Sequence, residues 1–152
     1  MHSVLQEKIF NKFSNLYSER HLPMTQTCMC WGLACGSGWF DLLWKMSEKL
    51  EALNFKSLKI TQVKEKFGTL RVYYDVSEPN FYFKKKTSRD RRKKNRFWKT
   101  VNYKIDQIIF EAEKISSKTC EVCGKPGKRR GQSSWSRINC DECYSQNSLR
   151  SG

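Results

Sequence analysis

Hydrophobic positions along the chain repeat with two different periods. Between Val4 and Tyr17, the residues Leu5, Ile9, Phe13 and Leu16 recur at three- and four-residue steps, with Phe10 and Tyr17 beside them. That stripe predicts an amphipathic helix, ended by Pro23 and the polar residues after it. The stretch CMCWGLACGSGW reads as a loop or turn, and Ser37 or Gly38 starts a second helix. Its stripe is Trp39, Leu42, Leu43, Met46, Leu50 and Leu53, and the Trp and Met in it are core residues rather than cofactor contacts. The period then changes. Leu58 to Lys64 alternates, with Leu58 and Ile60 on one side and a register change near Gln62. Phe67-Gly68-Thr69 makes a turn, and Leu70 to Tyr74 is rich in β-formers. Two such runs around a glycine turn predict a β-hairpin. Helical period returns from Trp98 to Ile115, through Val101, Ile105, Ile108, Ile109 and Ala112, and Ser116 and Ser117 close it. The predicted fold is α+β: two or three helices packed on a short antiparallel β-hairpin, followed by a C-terminal cysteine module.

Composition adds limits. The 152 residues include 5 Trp, 6 Tyr and 9 Phe, large rings that a wholly disordered chain does not carry. No apolar stretch reaches the roughly 18 residues of a transmembrane helix. The N-terminal MHSVLQEKIFNKF has charges within its apolar run and no small-residue cleavage site, unlike a secretory signal. The expectation is a soluble, cytoplasmic protein without a membrane partner; its oligomeric state is left open.

Charge changes the picture more. The formal net charge is +14, but it is concentrated. The segment from Lys84 to Lys104 holds eleven Lys and Arg and one acid, Asp90, whereas residues 1–83 and 105–152 are each nearly balanced. The chain therefore divides into a helical and hairpin core (1–83), a basic insertion (84–104), and a helix plus C-terminal module (105–152). A block of like charge repels itself and is solvated unless an anion organises it. Lys84, Lys85, Lys86, Arg89, Arg91, Arg92, Lys93, Lys94 and Arg96 are candidates for neutralising phosphates, with Phe97 or Trp98 available to stack on an exposed base. A solvated loop, or a contact to an acidic protein surface, is the competing reading.

Four of the seven cysteines form two CxxC pairs, Cys120/Cys123 and Cys140/Cys143, separated by sixteen residues. That is zinc-site spacing: each CxxC turn points two sulfurs at one metal, and two turns complete a tetrahedral thiolate shell. Gly124, directly after Cys123, suits a tight knuckle whose amides donate to the sulfurs. Zn2+ is the expected cofactor, structural because four thiolates leave no open coordination position. An iron–sulfur cluster uses the same ligand type. A module of about 30 residues needs such a staple because its own core is small. Lys128, Arg129 and Arg130 in the intervening loop are further nucleic-acid candidates, with Trp135 either stacking or covering the metal. Cys28, Cys30 and Cys35 give three thiols with His21 nearby, a weaker array that buried free cysteines explain better than a second metal does.

No catalytic set is legible. Only His2 and His21 are available, and no phosphate-binding glycine loop is present. Asp41, Glu48, Glu51, Glu65 and Asp75 could be paired for a metal-dependent nuclease, but helix and strand surfaces ordinarily carry such acids. The expectation is a protein that is not an enzyme.

Three stretches carry a resemblance: CGSGWFDLL at Cys35–Leu43, QVKEKFGTLRVYY at Gln62–Tyr74, and EAEKISSKTCEVCGKPG at Glu111–Gly127. Together they resemble a family of small uncharacterised phage and prophage proteins with a CGxGW turn, a VKEKFGTLR hairpin and a TCExCGxPG zinc knuckle. The present chain has Ser37 where that family has an acid, a complete second cysteine pair, and the basic insertion. The resemblance implies a mobile-element context in a bacterial host and no particular reaction. The leading expectation is a non-enzymatic zinc protein that binds nucleic acid, DNA or RNA, or a host nucleoprotein. The alternatives are an inhibitor of a host defence nuclease, anti-CRISPR-like, acting by protein or guide-RNA binding, and a metal-dependent nuclease.

Overall fold

The computed structural model describes residues 1–76, 88–131 and 136–148, with side chains over 1–76, 95–131 and 136–146. Helix α1 spans Ser3–Lys12 and buries Ile9 and Phe10. Phe13, Leu16 and Tyr17 are buried as the stripe predicts, yet the helix stops before them. The Leu16 carbonyl accepts the Ile60 amide at 2.8 Å, and the buried Tyr17 hydroxyl meets Ser47 Oγ at 2.8 Å. Those tertiary bonds fix the main chain in a non-helical path that keeps the same rings inside.

Strand β1, Leu33–Ala34, lies in the stretch read as a loop. It pairs in parallel with Val63 and Lys64 of β2, Leu58–Lys66. Two residues are too few for a period to be legible. Strand β3, Thr69–Val76, pairs antiparallel with β2, giving the order β1-β2-β3. The turn between β2 and β3 holds Phe67 at φ 54° and Gly68 at φ 81°. Two positive φ values in succession are the requirement of the primed two-residue hairpin turn, whose twist matches the strands. The expected register change is a bulge between Ile60 and Gln62. The extra residue moves the inward positions from Leu58 and Ile60 to Val63, so all three are buried.

A short 3-10 turn, Ser37–Trp39, leads into α2, Phe40–Ala52, which buries Leu42, Leu43, Met46, Ser47 and Leu50. Helix α3 spans Ser88–Ser116 and buries Val101, Ile105, Ile109 and Ala112. It starts ten residues before Trp98 and runs through the boundary drawn at 104/105, so from Ser88 onward the basic segment is helix rather than loop. Lys and Arg are good helix formers, and the anchored stripe downstream supplies the packing that a short charged helix lacks. Strands β4, Lys128–Arg130, and β5, Arg137–Asn139, form a second small antiparallel sheet, and α4, Asp141–Ser148, follows.

One core joins these parts. α1, α2 and α3 contribute Ile9, Leu43 and Ile105, and the sheet contributes Leu33, Ile60 and Leu70. Each such fully buried side chain contributes about 1.5–3 kcal/mol. Ser116, fully buried at the end of α3, accepts the Leu70 amide at 2.9 Å and donates to the Glu113 carbonyl at 2.6 Å, tying helix to hairpin. Among the described residues no helix is long and apolar enough to cross a membrane.

Candidate metal centre

The first CxxC lies in a small turn that its own backbone closes. The Cys120 amide donates to the Lys125 carbonyl at 2.8 Å, the Gly124 amide to the Cys120 carbonyl at 2.9 Å, and the Gly127 amide to the Lys118 carbonyl at 2.8 Å. Gly124 takes φ 78°, a conformation that L side chains rarely adopt, which lets the chain reverse directly after Cys123. The second CxxC straddles the start of α4: Cys140 precedes it and Cys143 sits in its first turn. The short hairpin of β4 and β5 brings the two halves together.

All four sulfurs, of Cys120, Cys123, Cys140 and Cys143, lie within 4.8 Å of one another, an arrangement that can hold a metal ion. Cys123 Sγ and Cys140 Sγ are 3.6 Å apart. A tetrahedron with 2.3 Å metal–sulfur bonds has sulfur–sulfur edges of about 3.8 Å, so the spacing fits a thiolate-bound zinc. It is far longer than a disulfide bond, and every cysteine in the chain is a free thiol. Cys120 and Cys143 are buried and Cys123 is exposed.

The surroundings favour thiolate at one sulfur, that of Cys120. The Cys143 amide donates to Cys140 Sγ at 3.4 Å, and Asn139 Nδ2 approaches Cys120 Sγ at 3.9 Å. Burial alone pushes the Cys120 thiol up, but the amides of Cys140, Cys123 and Val122 and the Cys123 thiol outweigh it and bring it down to about 6. Burial raises the Cys143 thiol, and the neighbouring Cys123, Cys140 and Cys120 raise it further. One sulfur is thus poised to ionise first, while a cation is what allows all four to ionise together.

The knuckle is not an appendage. The Gly38 amide donates to the Glu121 carbonyl at 2.8 Å. The Gly36 amide donates to Glu121 Oε1 at 2.8 Å, and the buried Trp39 indole donates to the Thr119 carbonyl at 2.9 Å. The approach is backbone to backbone: a Cβ on Gly38 would sit 2.3 Å from the Cys120 carbonyl oxygen and 2.5 Å from the Gly124 nitrogen. Burial pushes the Glu121 carboxyl above its ordinary range and the nearby Glu65 adds to this, although the Gly36 amide opposes it. Gly36, Gly38, Trp39, Glu121 and Asn139 were missed as parts of the centre from sequence. CGSGW carried a signal for Gly36, Gly38 and Trp39, and TCExCGxPG for Glu121; Asn139 had none.

The remaining candidates are dispersed. Cys28 is exposed, Cys30 donates to the Thr27 carbonyl at 3.2 Å, and His21 accepts from Arg20 at 2.9 Å. Cys35 is buried, and burial pushes its thiol up to about 12. Among the described residues only the C-terminal four form a metal-capable group. Of the acids weighed for nuclease chemistry, Glu65 accepts the Gly68 amide and Glu48 accepts the Trp44 indole. In the C-terminal module, Lys128 and Arg130 both pair with Asp141 Oδ1, Arg130 also lies 4.7 Å from the centre of the Tyr144 ring, and Arg129 donates to Ser136.

Lys84, Lys85 and Lys86, like Trp135, lie outside the described residues. Arg89, Arg91, Arg92, Lys93, Lys94 and Arg96 belong to α3, and of their side chains Arg96 is described, as exposed. Trp98 is half-buried against the core, while Phe97 is 53% exposed and meets the Phe55 ring edge-on at 6.3 Å. No family model, curated protein or solved structure matches this chain.

Proposed function

We propose that this is a non-enzymatic zinc protein that binds nucleic acid through the basic segment that runs into and along the first half of α3. The observation that carries the reading is the joining of two properties in one helix. The basic residues from Arg89 to Arg96 and the buried stripe from Val101 to Ala112 lie on the same continuous α3. A polyanion held by the first part is therefore coupled to the folded body by helix, not by a free linker. The metal in this reading is zinc, held by Cys120, Cys123, Cys140 and Cys143. With all four positions taken by thiolate it stabilises the C-terminal module and supplies no reactive water. The resemblance to phage and prophage proteins supports a setting in the cytoplasm of a bacterial host.

The test is equilibrium binding to DNA and RNA as a function of salt. Log K is expected to fall almost one unit per log salt for each phosphate contacted. The quadruple variant Arg91→Ala, Arg92→Ala, Lys93→Ala, Lys94→Ala should flatten that slope, and an unchanged slope removes the segment from the interface. Purification of partners from host lysate with and without nuclease treatment separates the rival. A protein partner that survives treatment favours an inhibitor of a host defence nuclease, and loss of all partners favours direct nucleic-acid binding.

A further inference from the structure

Helix α3 sorts its side chains by what they do. At 3.6 residues per turn, the buried Val101, Ile105, Ile109, Ala112 and Ser116 mark its inner face. Its acids after Asn95 sit on the two flanks and are all engaged: Asp106 accepts the Tyr74 hydroxyl at 2.7 Å, Glu113 pairs with Arg71 at 3.7 Å, and Glu111 pairs with Lys49 at 2.6 Å. Tyr74 and Arg71 belong to β3 and Lys49 to α2, so every one of these carboxylates is turned toward the body. What remains on the outermost line is Arg96, Lys99, Tyr103, Phe110 and Lys114, with neutral Gln107 among them. Tyr103 is 64% and Phe110 61% exposed. Arg96, Lys99 and Lys114 make no ion pair among the described residues.

Two rings seven residues apart stand on the same side of the helix, about 10 Å apart along its axis. That separation is too great to clamp one base between them and suits two separate bases. Flanking cations that no carboxylate among the described residues pairs with suit a backbone of phosphates. Duplex DNA or RNA keeps its base faces stacked and offers nothing for these rings, whereas a single strand exposes them.

We infer that the outward ridge of α3, from Arg96 to Lys114, is a binding surface for single-stranded nucleic acid, with Tyr103 and Phe110 as base-stacking platforms. This rests on the nucleic-acid reading above and deepens it to a ligand class, extending the surface past the basic segment to Phe110 and Lys114.

Fluorescence anisotropy with labelled dT20, U20 and a 20-base-pair duplex at one salt concentration tests it. The wild type should bind a single strand more tightly than the duplex. The double variant Tyr103→Leu, Phe110→Leu, at exposed positions and checked for folding by circular dichroism, should lose about tenfold or more in single-strand affinity. Duplex affinity should be unchanged. Equal affinity of variant and wild type for the strands overturns the ridge inference and leaves the basic-segment reading standing. Absence of binding to all three probes overturns both. Concentration-dependent self-association in sedimentation, abolished by the double variant, assigns the ridge to a second copy of the chain and overturns it as a nucleic-acid surface.

Discussion

Gly38 and Glu121, more than eighty residues apart, are joined main chain to main chain by a 2.8 Å hydrogen bond. The bond places the turn before α2 directly against the first CxxC, so the metal-capable knuckle and the hydrophobic core share one piece of backbone. A side chain at Gly38 has no room, since its Cβ would meet the Cys120 carbonyl and the Gly124 amide well inside van der Waals contact.

The first prediction follows from that contact. Gly38→Ala must push the knuckle away from the turn and should lower unfolding stability by about 1–3 kcal/mol, in line with other overpacked sites. Metal content per folded chain should drop with it. A denaturation midpoint equal to the wild type's would show that the two segments part easily and that the contact contributes little.

Metal removal should be felt beyond the knuckle. Cys120→Ser or Cys143→Ser, or a strong chelator, should reduce the stoichiometry from one zinc per chain and lower the melting temperature. The near-ultraviolet dichroism of the core should change as well, because the Trp39 indole donates to Thr119 at the knuckle's edge. Native mass spectrometry of protein purified without chelator that finds no zinc would exclude the metal assignment.

Glu121 supplies a pH signature. Its carboxyl is raised in the folded state, chiefly by burial. An acid raised on folding binds its proton more tightly in the native chain, so it costs stability above its unfolded value and nothing well below it. Glu121→Gln keeps an acceptor for the Gly36 amide and removes the charge. The variant should gain on the wild type as pH rises from below 4 through the carboxylate range into neutrality. Parallel stability curves over that range would contradict the burial of this group.

Ser116 tests the seam between α3 and the hairpin. Ser116→Ala deprives the buried Leu70 amide of its acceptor and should cost about 1–3 kcal/mol in stability. Hydrogen exchange at Leu70 should rise selectively. Unaltered exchange there would show that another acceptor replaces the hydroxyl.

Local pattern and tertiary path part company at identifiable residues. The stripe Ile9, Phe13, Leu16 was legible because side-chain burial follows period, but the end of α1 was not, because it is set by Ile60 reaching back to the Leu16 carbonyl. The bulge near Gln62 was legible because the inward set changes parity there. Strand β1 was not, since two residues carry no period. The four metal-capable cysteines were legible from spacing alone, because a CxxC turn is a local geometry that places its own sulfurs.

The sequence by itself determined the α+β class, the core stripes, the cysteine tetrad and the concentration of charge between Lys84 and Lys104, all properties carried by neighbours in the chain. The tertiary structure alone decided which surfaces those features meet. It set Gly36 and Gly38 against the knuckle, gave Lys128 and Arg130 to Asp141, turned Trp98 inward, and drew Asp106, Glu111 and Glu113 toward partners on β3 and α2. Such pairings depend on contacts between residues distant in sequence, for which neither period nor composition carries a signal.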